Sequence, residues 1–214
     1  MIIWALWKNR NNVLWAGTRQ TAQDVILSIF AWCDEYQRAR GTVKQPHKQP
    51  RTRWKPAEDG AFKLNVDAAF LPQQTTGGIG GVLRDVSGNF VAAFARPVQH
   101  AASPKQCELL AIRAGVDFLV SLQQAVIESD STVAIAEALS PDHSMLANGG
   151  LIDDIQCAMQ CIPSIRICYQ PRSSNLVAHR LAGIGFEANH NSVWLGLVPQ
   201  CIRDVLSHDL QYLT

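Results

Sequence analysis

Three strand-length segments follow one another between Phe62 and Arg96 with no helix-length pattern between them, and this run limits the fold more than any other feature of the chain. In "FKLNVDAAF", Phe62, Leu64, Val66, Ala68 and Phe70 recur at every second residue, the period of a strand with one buried face. "GGIGGVLRDVSGNFVAAFAR" reads as two further strands around a turn, for which Gly88 and Asn89 suit the tight geometry. The period then changes. Ser103 and Pro104 are suited to the cap and first position of a helix whose apolar side is Cys107, Leu110, Ala111, Ala114, Phe118, Leu119 and Leu122. "AVIESDS" is a strand ending in Asp130, followed by a helix through Leu139 capped by Asp130 or Ser131. Another helix is expected over Met145 to Cys161, then the strand "SIRICYQ", then a helix in "PRSSNLVAHRLAGIGFEAN" capped by Ser174 or Asn175. A meander followed by alternating strands and helices predicts an α/β fold: a mixed five-stranded sheet, its first three strands antiparallel, flanked by helices.

The polar face of the first strand carries Lys63, Asn65 and Asp67. A carboxylate there is unusual, and two more occur at related places: Glu108 in the first turns of the following helix and Asp130 at the end of the fourth strand. Singly, each has an ordinary explanation: an edge-strand surface residue, a partner for the helix dipole and a helix cap. If the fourth strand lies beside the first, the two aspartates emerge on one patch. Clustered carboxylates repel one another unless cations or protons neutralise them, and an all-oxygen set suits Mg²⁺ or Mn²⁺. The glycine-rich "TGGIGG" lacks the G-K-[ST] of a phosphate loop and leads into a strand, which argues against such a loop.

Charge divides the chain. Residues 1–57 hold ten Lys/Arg and three Asp/Glu (+7), whereas 58–214 hold nine and fifteen (−6). Residues 1–37 are read as a helical segment, with Thr21 a candidate cap and Trp4, Trp7 and Trp15 in need of a partner surface. Residues 38–57 are read as a basic, proline-containing linker, and 58–214 as the main domain. Arg38, Arg40, Lys44, Lys48, Arg51, Arg53 and Lys55 are candidate contacts for a polyanion such as nucleic acid. The six cysteines form no C-x-x-C pair and are expected to be buried free thiols without disulfide partners. No apolar run approaches the roughly 20 residues that span a bilayer. No secretory signal is evident, so an intracellular, nuclear or cytoplasmic, location is expected.

Taken together, "KLNVDAAF", "GGIGGVLRDVSGNFVAA", "CELLAIRAG", "VIESDS" and "RSSNLVAHRLA" resemble the type 1 ribonuclease H-like domain of plant non-LTR retroelement reverse transcriptases and the plant proteins derived from them. The resemblance runs from about Trp54 to Asp209. "LWKNRNN" is similar to the region preceding this domain in retroelement polyproteins, so residues 1–37 are expected to be a remnant of that region. The resemblance implies a ribonuclease H-like fold and an endonuclease that hydrolyses the RNA strand of RNA–DNA hybrids with two Mg²⁺ or Mn²⁺ ions. Carried over, Asp67 bridges the ions, Glu108 and Asp130 are further ligands, and His179 stands where the family often has a fourth carboxylate. Two further departures are Ala68, where many members have Gly, and the lack of any Lys or Arg between Thr132 and Ile165, where some members carry a basic protrusion. Alternatives are a nucleic-acid-binding module with weak or no catalysis and a protein-interaction module using the Trp-rich helix.

Overall fold

The computed structural model describes residues 2–26, 29, 52–57, 60–122, 124–141, 147–162, 164–188 and 190–211. The chain forms two compact units, Met1–Pro50 and Arg51–Thr214. In the first, helix α1 (Ile2–Ala16) precedes a short helical stretch over residues 22–26. Thr21 caps that stretch as expected: its Oγ1 accepts from the Asp24 amide, while its own amide donates to Asp24 Oδ2. Asn9 joins the two helical stretches by accepting from the Gln20 amide. Trp7 and Trp15 are exposed. The remainder of the expected 1–37 helical segment lies outside the described residues.

The second unit is built on β1 (Phe62–Leu71), β2 (Thr76–Arg84), β3 (Phe90–Val98), β4 (Gln124–Ser129), β5 (Ser164–Tyr169) and β6 (Ser192–Leu195). Its helices are α2 (Pro104–Phe118), α3 (Thr132–Ala138), α4 (Gly149–Gln160), α5 (Leu176–Glu187) and α6 (Arg203–Leu210). The sheet order is β5-β4-β1-β2-β3-β6, with β1, β2, β3 and β6 antiparallel to their neighbours and β1, β4 and β5 parallel. The expected five strands are therefore six. The unpredicted β6 is a four-residue edge strand, half exposed, with no clear alternation to announce it.

Local signals set most boundaries. Asp85 closes the β2–β3 turn by accepting from the Ser87 and Asn89 amides, and Gly88 takes the positive φ of 84° that the turn requires. Ser103 caps α2 and Ser131 caps α3. Asp130 is thereby left out of the cap. Neither Ser174 nor Asn175 caps α5; both side chains bond elsewhere.

One face of the sheet packs Leu64, Val66, Ala125 and Ile127 against α2, α3 and α4. The other packs Val82, Ala93 and Ala95 against Val177 and Leu181 of α5, with Ile202 and Leu206 beside them. Two glycines of "TGGIGG", Gly78 and Gly80, serve this second contact. A Cβ on Gly78 would collide with backbone of α5 at Ala182 and Phe186, and one on Gly80 with Leu181 and Ala182. Helix α5 thus lies closer to β2 than any side chain would permit.

The folded unit begins earlier than the 58–214 boundary read from the sequence, because Trp54 is 1 % exposed. Its ring lies under the Arg84 guanidinium, 4.0 Å from ring centroid to Cζ, and its indole N–H donates to Asn65 Oδ1 at 2.7 Å. The Thr52 carbonyl accepts from the Ser173 and Ser174 hydroxyls, and the Lys55 carbonyl from Lys63 Nζ. Residues 52–57 are consequently part of the fold rather than linker. The cysteines also depart from expectation. Among the described cysteines only Cys107 is buried; Cys157, Cys161, Cys168 and Cys201 are exposed, on outer helical positions, an edge strand and a surface turn, and Cys33 lies outside the described residues. No described helix is long and apolar enough to cross a membrane.

Candidate active site

Parallel pairing of β1 with β4 sets Asn65 opposite Glu128. Two residues further along each chain, on the same side, come Asp67 and Asp130. The step behind the carboxylates is fastened: Asn65 Nδ2 donates to Glu128 Oε2 at 2.9 Å, and Lys63 Nζ pairs with Glu128 Oε1 at 2.6 Å. All three of these residues are buried. Helix α2 brings Glu108 up to the same point. Oxygens of Asp67, Glu108 and Asp130 lie within 4.8 Å of one another.

The cluster carries uncompensated negative charge. Burial first, then the Asp67 and Asp130 charges, push Glu108 up from 4.5 to about 8, with Arg172 opposing. Burial and the Asp130 charge push Asp67 up from 3.8 to about 6, against hydrogen bonds from His179 and the Ala68 amide. Glu108 Oε2 is buried with no protein hydrogen-bond partner. A bare oxygen in a crowded carboxylate set is what a hard divalent cation would satisfy, so the residues present fit one.

Helix α5 supplies the fourth residue. Its start is pinned to β1 beside Asp67, because Asn175 Nδ2 donates to the Val66 carbonyl at 2.9 Å. One turn later, His179 Nδ1 lies 2.7 Å from Asp67 Oδ2, and His179 Nε2 lies 3.0 Å from an Arg172 guanidinium nitrogen. A guanidinium only donates, so Nε2 accepts and Nδ1 carries the proton given to Asp67. Helix α5 thus brings His179 beside Asp67. The described contacts of His179 are to Asp67 and Arg172, and it is not among the three clustered carboxylates.

Sequence reading missed the roles of Arg172, Asn175, Asn65, Glu128 and Trp54. The one available signal was alternation, which set Asn65 on the face of Asp67 and Glu128 on that of Asp130. Of the expected nucleic-acid contacts, Arg53 and Lys55 are exposed, while Arg38, Arg40, Lys44, Lys48 and Arg51 lie outside the described residues.

A family model described as reverse transcriptase-like matches residues 65–184, from β1 to the helix bearing His179. The chain belongs to the reverse transcriptase-like family. The matched span contains the whole carboxylate cluster and His179, and it leaves β6 and α6 outside. A protein of Arabidopsis thaliana, provisionally named a ribonuclease H protein, is 27% identical over 225 residues. That alignment takes in 98% of this chain and 34% of the relative, so the chain spans about a third of that protein's length. Among solved structures, the N-terminal RNase H domain of a Mycobacterium tuberculosis protein aligns with a TM-score of 0.52 at 20% identity, covering 60% of this chain and 94% of that one. RNase H1 of Halobacterium salinarum aligns with a TM-score of 0.55 at 18% identity, covering 60% and 98%. The LC11 RNase H1 solved in complex with an RNA/DNA hybrid aligns with a TM-score of 0.52 at 15% identity, covering 59% and 96%. At these identities the likeness establishes the fold: this reverse transcriptase-like domain has the ribonuclease H-like architecture.

Proposed function

We propose that the Arg51–Thr214 unit is a metal-dependent endonuclease that cuts the RNA strand of RNA–DNA hybrids. The observation that carries this reading is the convergence of Asp67, Glu108 and Asp130 from three separate elements, with the buried Glu108 oxygen left unpaired. It is supported by the shared fold with a protein crystallised on an RNA/DNA hybrid. Asp67, Glu108 and Asp130 would hold two Mg²⁺ or Mn²⁺ ions. Bound there, such ions supply an activated water and a counter-charge for the leaving oxygen. The protein's own side chains set the geometry. The β1–β4 pairing fixes the two aspartates, and the Nδ1–H of His179 holds Asp67 in one orientation. Arg172 fixes the His179 ring and tempers the negative charge felt by Glu108.

A second reading is favoured by one feature. With His179 turned to Asp67, the described residues offer three carboxylates rather than four, which fits a nucleic-acid-binding module of low activity. One assay separates the two. The purified chain is incubated with a hybrid labelled on the RNA strand, with Mg²⁺ or Mn²⁺, beside Asp67→Asn. Cleavage by the wild type alone supports the nuclease. Binding without cleavage by either ion, or equal cleavage by Asp67→Asn, sinks it.

A further inference from the structure

Helices α5 and α6 cover only part of their face of the sheet. Over β4 and β5 no described helix packs on that face, and a groove of about 840 Å³ opens there, walled on one side by residues 52–57. Its floor is Val126 with the Lys63–Glu128 ion pair, and all three residues are buried. Exposed Arg53, Lys55 and Arg166 line it above. The described lining holds four cations, Arg53, Lys55, Lys63 and Arg166, against one carboxylate, Glu128, in a unit, residues 51–214, whose twelve Lys/Arg and fifteen Asp/Glu sum to −3. The groove adjoins the candidate active site. Glu128 stands two residues before Asp130, and the Gln170 amide donates to the Ser129 carbonyl at 2.9 Å. The Thr52 carbonyl holds the Ser173 and Ser174 hydroxyls, next to Arg172.

We propose that this groove holds the phosphate backbone of a nucleic-acid strand to one side of the carboxylate cluster, with Arg53, Lys55 and Arg166 as its phosphate contacts. The proposal rests on the nucleic-acid reading of the neighbouring site. Charge complementarity selects the occupant. The lining is cationic, and its apolar members, Pro56, Ala57, Cys168 and the buried Val126, are small and include no aromatic or long aliphatic side chain against which a protein helix could seat a large apolar anchor. The chain's own segment 38–51 holds five Lys/Arg and no acid, the wrong sign to fill it. A phosphate backbone needs only spaced cations, and its binding is expected to depend steeply on salt.

The full chain and the variant Arg53→Ala/Lys55→Ala/Arg166→Ala are compared by fluorescence anisotropy on a short and a longer RNA–DNA hybrid across a salt series. Arg113→Ala/Arg203→Ala serves as a control for charge lost elsewhere. Each lost phosphate contact removes about 0.9 from the slope of log affinity against log salt on duplex DNA, so the triple variant's slope should be shallower by up to about 2.7. The gain in affinity from the short to the longer hybrid should also be smaller in this variant than in the wild type. The single variant Arg166→Glu, on the edge strand, repeats the test if the triple variant fails to fold. An unchanged slope, a control variant that loses as much, or a wild type that binds no nucleic acid overturns the proposal. So does tight binding of polyglutamate through the same cations with none of the hybrid. A shallower slope in a protein that cuts nothing leaves the groove standing and removes the nuclease reading; cleavage with an unchanged slope does the reverse.

Discussion

Replacing Glu108 by Gln removes one charge from the cluster and keeps the side chain's shape. A carboxyl whose pKa is higher in the folded than in the unfolded protein binds protons more tightly when folded. It therefore subtracts stability as pH rises from the unfolded value to the folded one, and subtracts nothing below the unfolded value. For Glu108 that window runs from 4.5 to about 8. At pH 7 the interval above 4.5 is 7 − 4.5 = 2.5, so at 1.36 kcal/mol per pH unit the penalty has an upper limit of about 3.4 kcal/mol. Partial exposure and relaxation of neighbours screen it to roughly 2 kcal/mol, which moves the melting temperature of a unit this size by about 4–8 °C. Calorimetry in a chelator should accordingly show Glu108→Gln melting several degrees above wild type near pH 8 and almost with it near pH 5. Added Mg²⁺ at the higher pH should close the gap, since wild type keeps the full ligand set. An equal gain at both pH values, or a variant less stable at the higher one, would refute the assignment of Glu108 as an uncompensated member of the cluster.

Three other substitutions probe the frame around it. Trp54→Phe keeps the ring under Arg84 but leaves Asn65 Oδ1 unpaired and buried, and should cost about 1–3 kcal/mol in urea unfolding. Gly80→Ala drives a methyl into α5 at Leu181 and Ala182; a loss of roughly 3 kcal/mol is expected, with weaker divalent-ion binding by calorimetric titration as His179 shifts with the helix. His179→Asp exchanges a donor to Asp67 for a like charge, worth about 1–4 kcal/mol at contact distance. The chelated variant should melt below wild type near neutral pH, bind Mg²⁺ more tightly and, on the nuclease reading, cut faster with it.

The meander, α2 and β4 were legible because their signals are local: strict alternation, a Ser-Pro helix start, a Gly-Asn turn; the carboxylate cluster came from the placing of three acids on successive elements and from the resemblance. What escaped was held by contacts distant in sequence. Helix α6 is anchored by Asp209 on Arg84, an ion pair 125 residues apart, and short β6 carries too little pattern to stand out. Trp54 sits in a stretch whose composition reads as linker, and only the Asn65 and Arg84 side chains reveal why it is buried. Cys168 falls on the face of β5 opposite Ile165 and Ile167, and that face of the edge strand opens to the groove, so the position is not core. His179 was placed at the site by resemblance. Its orientation depends on Arg172, in a turn that no periodicity marks.

The tie between His179 and Asp67 spans 112 residues, and the helix that makes it docks in the trough left by Gly78 and Gly80. A ribosome delivers the first strand long before that helix. Until α5 emerges, a nascent chain carries its acidic residues without the histidine, the Asn175 clasp or the arginine beside them. The centre is therefore completed only once α5 has emerged, with β6 and α6 still to follow. Premature termination between Asp130 and Arg172 yields a polypeptide that contains all three acids and lacks Arg172, Asn175 and His179.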